Sequence, residues 1–115
     1  MEIIMTRLNG KVAVVTGAGR GIGRPYNMAK EAVRALTRSA AREWGADRIT
    51  VNNVLPVADT WGAADAPAPA NALARYGSPE DDVAPVVLFL ASNDAQFLTG
   101  YSLTPDGGMI IDSAR

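Results

Sequence analysis

Lys11-Val12-Ala13-Val14-Val15-Thr16-Gly17-Ala18-Gly19-Arg20-Gly21-Ile22-Gly23 decides how the chain is read, because a β-branched run passes without a spacer into a cluster of glycines. A short valine-rich run predicts a strand over residues 11–16, buried on both faces of a parallel sheet. Glycines let backbone N–H groups approach a pyrophosphate, and a helix opening behind them turns its positive end toward the same anion. The general G-x-G-x-x-G fingerprint fails in every frame, ending on Ile22, Arg24 or Tyr26, and no Gly-Lys pair follows Gly17 to make a P-loop. The pattern that fits is T-G-x-x-x-G-x-G on Thr16, Gly17, Gly21 and Gly23. Alone, it reads either as a phosphate cradle or as a plain strand-to-turn junction.

Downstream the period changes. Tyr26, Ala29, Val33, Leu36, Ala40 and Trp44 recur at helical spacing, with Arg34, Arg38 and Arg42 along another side. This predicts an amphipathic helix over residues 26–44, stopped by Gly45. A second strand is predicted over 49–55, closed by Pro56. Residues 58–77 are alanine-rich, contain Pro67 and Pro69 and predict a long, lid-like loop. Ser78-Pro79-Glu80-Asp81 supplies a hydroxyl N-cap, a proline for the first helical position and carboxylates for the positive helix end. The helix it opens is predicted to reach Ser92. A third strand over 100–104 then meets a turn at Pro105-Asp106-Gly107-Gly108. Alternating strands and helices predict an α/β domain with a parallel sheet of about three strands, two main helices and right-handed crossovers.

With 115 residues, 48% of them apolar, and a net charge of −1, the chain reads as one soluble domain over 1–115. Its expected parts are 1–24, 25–57, 58–77 and 78–115. A chain this short buries only somewhat more than about 60% of its unfolded surface, so an uncovered apolar face favours association. The absence of cysteine and histidine excludes disulfides, thiolate or imidazole metal sites and a Ser-His-Asp triad. Balanced charge leaves no footprint for nucleic acid or an anionic membrane. The longest apolar runs, such as residues 86–91, fall far short of the roughly 20 residues that cross a bilayer. Residues 1–9 lack the apolar core of a signal peptide, and the expected location is the cytoplasm.

Tyr26 and Lys30 stand four apart, so on a helix their Cβ atoms lie roughly 5–6 Å from each other. An ammonium beside a phenol favours the phenolate, whose unperturbed pKa of about 10 is otherwise too high for proton transfer near neutrality. The pair reads either as a general acid or base with its partner, or as a half-buried tyrosine beside a snorkelling lysine.

Thr16-Gly-x-x-x-Gly21-x-Gly23, Tyr26-x-x-x-Lys30, Val51-Asn52-Asn53-Val54-Leu55-Pro56, the Ser78-Pro79-Glu80 cap and Thr99-Gly100 with Asp106-Gly107-Gly108 occur in one order. Together they resemble the short-chain dehydrogenase/reductase family, over residues 8–24 for its N-terminal strand and loop and 26–108 for its C-terminal part. The resemblance implies a reduced Rossmann-type sheet and an NAD(P)-dependent oxidoreductase acting on a hydroxyl or carbonyl of a small molecule. By it, Tyr26 is the acid–base and Lys30 its partner and ribose contact. Thr16, Gly17, Gly19, Arg20, Gly21, Ile22, Gly23, Pro56 and Thr60 would face NAD or NADP. Trp61 and Leu73 read either as contacts for a carbon-rich substrate or as core.

The departures from that family are specific. Only Arg24 and Pro25 stand between Gly23 and Tyr26, where the family carries more than half its length, including its catalytic serine and the residue choosing NAD or NADP. Val57 follows Pro56 in place of the usual glycine, and Thr60 sits one residue closer to Pro56 than the usual threonine. A single helix is left to serve both the glycine loop and the Tyr-Lys pair. If it starts at Gly21, Tyr26 lies about 7.5 Å further along the axis, away from a bound pyrophosphate. If it starts at Pro25, the Tyr-Lys pair is well seated and the loop loses the helix end. The expectation is an internally truncated family member with impaired activity. The alternatives are an inactive remnant or interaction module, forming homo-oligomers or hetero-oligomers with a full-length relative through helix 26–44 and its Ala32, Ala35 and Ser39, or a deletion or gene-model artefact.

Overall fold

A computed structural model describes residues 7–16, 25–59 and 67–111. Two compact units are present: Met1–Asn53 with Phe89–Tyr101, and Val54–Leu88 with Ser102–Arg115.

The first unit is organised by helix α1, Pro25–Trp44, whose 20 residues span about 30 Å. Proline at its first position gives up no hydrogen bond, since that N–H is unpaired in any helix. After it come alanine, leucine, arginine and glutamate, with neither glycine nor proline to break the rod. The α-helix ends at Trp44, just before Gly45 as expected, but Gly45 is not its left-handed cap. Gly45–Asp47 tighten into a 3₁₀ turn, and Arg48 takes the left-handed conformation (φ 61°) with its N–H donating to the Gly45 carbonyl at 3.0 Å. The tight turn consumes carbonyls that a left-handed glycine would otherwise have satisfied, so the reversal falls three residues later.

The buried face of α1 is also turned from the predicted stripe. Thr37, Ala40 and Ala41 are buried, while Leu36 is 66% and Met28 77% exposed. Contact geometry decides this: the nearest atom to a Cβ built on Gly100 is the Ala41 Cβ, at 3.3 Å, so the backbone at Gly100 approaches this helix closely. Only small side chains fit there. The Thr37 hydroxyl has two acceptors at 2.9 Å, the Val33 carbonyl and Asn53 Oδ1. Replacing Thr37 by valine keeps the shape and removes the donor, and is expected to destabilise this unit by about 1–3 kcal/mol in urea unfolding. An unchanged midpoint would show that the hydroxyl contributes nothing.

Strands β1, Asn53–Val54, and β2, Ser102–Leu103, pair in parallel. In the first unit the Asn53 N–H donates to Tyr101 O at 2.8 Å and the Gly100 N–H to Val51 O at 2.7 Å. In the second, Leu55 and Val57 donate to Leu103 and Pro105 at 2.8 and 3.2 Å. Asn52 extends the join with its side chain, donating to Leu98 O at 2.9 Å and accepting from the Tyr101 N–H at 3.2 Å. These asparagines made the sequence look less like a strand, yet they are what ties it laterally.

The strand predicted over 11–16 does not form. Residues 11–16 carry no regular structure, and Val12 and Val14 are 93% and 86% exposed. A doubly buried strand needs neighbours on both edges and layers on both faces, and none is provided among the described residues. The α/β class and two main helices hold; the sheet has two strands among the described residues.

In the second unit, Ser78 caps the next helix as predicted, its hydroxyl accepting from the Asp81 N–H at 3.2 Å with Pro79 behind it. The first turn, Pro79–Val83, is wider than an α-helix, with Val83 N–H donating to Ser78 O at 3.3 Å, before α2 proper, Ala84–Ala91. Pro85 explains the widening: it lacks the N–H for the Asp81 carbonyl, and its ring crowds that carbonyl in a regular turn.

Residues 69–77 lie against the Asp106-Gly107-Gly108 turn. Leu73 N–H donates to Gly107 O at 3.0 Å, and Asn71 Nδ2 donates to Asp106 O at 2.8 Å. Asp106, 5% exposed, gathers three backbone donors: Gly108 and Met109 N–H on Oδ1 at 2.9 and 3.2 Å, and Ile110 N–H on Oδ2 at 3.0 Å. Gly108 has φ 82°, and a Cβ there would sit 2.8 Å from the Ala72 Cβ, so glycine is required twice over. Gly108→Ala is expected to destabilise this unit by about 1–3 kcal/mol, read as a lower melting temperature.

Candidate functional site

Helix α1 is described from Pro25 onward, and Tyr26 and Lys30 are separated in it by one helical turn, about 6 Å along the axis. Lys30 is exposed. The glycine stretch 17–23 and Thr60 lie outside the described residues, as does Trp61. Thr16 is exposed and without regular structure. Pro56 is exposed, next to Leu55 of the ladder, and belongs to the second unit. Of the predicted site residues, Tyr26 and Lys30 share one helix. Leu73 is 63% exposed, which removes it from any core.

Sequence reading passed over two groupings. One is the second-unit cluster around Asp82, which accepts both guanidinium nitrogens of Arg75 at 2.6 and 3.0 Å and the Ser78 N–H at 2.7 Å. The Arg75 hydrogen bonds first, then the Ser78 N–H, hold its carboxyl down at about 2, against the effect of burial. The other is a cleft beside α1 whose arginines were visible as a row but not as a cavity. No helix among the described residues is long and apolar enough to cross a membrane.

A parallel strand pair, a long helix carrying Tyr-x-x-x-Lys and a capped second helix are parts of a Rossmann-type α/β fold. The family model described as Enoyl-(Acyl carrier protein) reductase matches residues 3–110. The chain is 38% identical over 94 residues to the 12alpha-hydroxysteroid dehydrogenase of Clostridium sp., covering 73% of this chain and 36% of that protein. It is 35% identical over 113 residues to the short-chain dehydrogenase/reductase eriH of Hericium erinaceus, covering 90% and 44%. The crystal structure of angucycline C-6 ketoreductase LanV with bound NADP is similar at a TM-score of 0.66 and 31% identity, over 81% of this chain and 39% of that one. The chain belongs to the short-chain dehydrogenase/reductase family. It spans less than half the length of these curated relatives.

Proposed function

We propose that this chain carries the proton-transfer half of an NAD(P)-dependent oxidoreductase site acting on a carbonyl or hydroxyl of a small molecule. The observation that carries it is that Tyr26 and Lys30 lie one turn apart on the same helix, α1. A bound nicotinamide cofactor supplies or accepts the hydride. In the reducing direction Tyr26 would give its phenolic proton to the carbonyl oxygen as the hydride arrives at the carbon, leaving an alcohol. Solvent then returns a proton to the phenolate. The Lys30 ammonium and the positive helix end both favour that phenolate. By the family resemblance, Thr16, Gly17, Gly19, Arg20, Gly21, Ile22, Gly23 and Lys30 are assigned to the cofactor.

Turnover is expected well below that of full-length relatives, because only Arg24 and Pro25 occupy the interval that brings the remaining site groups. A precise site needs its supporting shell. Assembly with a second copy or a longer relative is part of the same reading. It is supported by the exposure of Val12, Val14, Met28 and Phe97 and by a buried apolar set limited, among the described residues, to Ala40, Ala41 and Ala95. Fluorescence titration with NADH and NADPH is expected to give a saturable signal; none at millimolar cofactor would overturn the oxidoreductase reading. Native mass spectrometry is expected to show dimers or larger species, and a strict monomer would remove the assembly.

A further inference from the structure

Arg34, Arg38 and Arg42 look alike in sequence, but the structure separates them. Arg34 is paired with Glu31 at 3.1 Å. Arg38 and Arg42 have no ion-pair partner among the described residues; with Ala41, Thr99 and Gly100 they line a cleft of about 240 Å³ within the first unit. Arg42 lies in the last turn of α1, where the carbonyl end of the helix itself favours a cation. Arg38, a full turn earlier, is beyond the reach of that end effect, and like charges four apart disfavour the helix. The helix dipole therefore accounts for one guanidinium and not for the pair.

The rest of the lining supplies donors as well. Thr99 Oγ1 accepts the Val51 N–H at 3.0 Å, which fixes the hydroxyl and leaves its own proton to give. No carboxylate among the described residues lines the cleft. Gly100, with φ 73°, lets the backbone close against Ala41 and floors the space without a side chain. The volume is under the roughly 300 Å³ at which pockets for drug-sized ligands begin, and suits one compact group. Two guanidinium groups and a hydroxyl are the donors that a tetrahedral oxyanion takes, and guanidinium can bind one in a bidentate manner.

We infer that the cleft between Arg38, Arg42 and Thr99 is a binding site for a phosphoryl dianion. It lies about 12 Å along α1 from Lys30, and it stands independently of the oxidoreductase reading. The test is an NMR titration of the full chain with inorganic phosphate and, separately, glycerol phosphate, at ionic strength held constant with sodium chloride. Saturable shifts at the Thr99 and Gly100 amides and a rise in melting temperature are expected. Both should be lost in R38Q/R42Q, whose exposed positions leave the fold intact, and reduced in R38K/R42K, which keeps charge without the forks. Equal affinity for the two probes supports the site and identifies free phosphate as sufficient; affinity at least tenfold higher for the ester supports it and identifies a phosphorylated molecule. Shifts that fail to saturate, that chloride reproduces or that persist in R38Q/R42Q would overturn it.

Discussion

Asp106→Ala is expected to unfasten the second unit while leaving the first largely intact. The carboxylate is buried and its two oxygens hold the Gly108, Met109 and Ile110 N–H groups, so its loss strips the turn of three acceptor contacts at once. The Gly107 and Gly108 carbonyls that receive Leu73 and Ala72 N–H depend on that turn. Hydrogen exchange at Leu73 should therefore rise on the order of tenfold or more, while Asn53 and Gly100 amides stay protected. Unchanged protection at Leu73 would refute the assignment. Acid gives the same answer without mutation. Burial pushes the Asp106 carboxyl up, but its backbone donors outweigh this and hold it below the ordinary carboxylate value; Asp82 is held at about 2. A carboxyl depressed in the folded state takes up its proton more readily when unfolded. The stability it contributes is fully present above about pH 4 and is lost as pH falls toward 2. Asp106→Asn should flatten part of that acid transition.

The second large effect falls on the chemistry. If the proposed proton transfer operates, Tyr26→Phe lowers hydride-transfer turnover by about 10²–10⁴-fold, the range a positioned acid–base group contributes. The substitution removes a hydroxyl and leaves the helix propensity nearly unchanged, so circular dichroism should not move. Lys30→Met should instead lower turnover by a smaller factor, because the phenolate formed on proton transfer loses a nearby cation. Stopped-flow measurement of NADPH consumption with a carbonyl substrate separates the two. A Tyr26→Phe variant as fast as the parent would remove Tyr26 from the reaction while leaving cofactor binding standing.

Local signals were legible in proportion to how far their chemistry acts within a few residues. Ser78-Pro79 announced a cap because a hydroxyl and the N–H three residues later need nothing distant, and Asp106-Gly107-Gly108 announced its turn because positive φ needs glycine. The length of α1 was readable for the same reason, as was the Tyr26–Lys30 spacing that the site inherits from it. The buried face of the helix was not readable, because it is set by how closely the backbone at Gly100 approaches Ala41 and not by hydropathy alone. Pro85 left a readable trace, a missing N–H inside a predicted helix, in the widened turn Pro79–Val83.

By itself, then, the order of residues determined the family through its motifs, and the α/β class, the two helices and the Tyr26–Lys30 spacing through periodicity, caps and short-range geometry. Tertiary structure alone decided that the valines of residues 11–16 find no strand partner among the described residues, and that Arg38 and Arg42 share a cleft while Arg34 does not. The physical reason is common to both. A strand needs neighbouring edges, and a cavity needs walls from distant parts of the chain; neither is encoded in the segment that will occupy it.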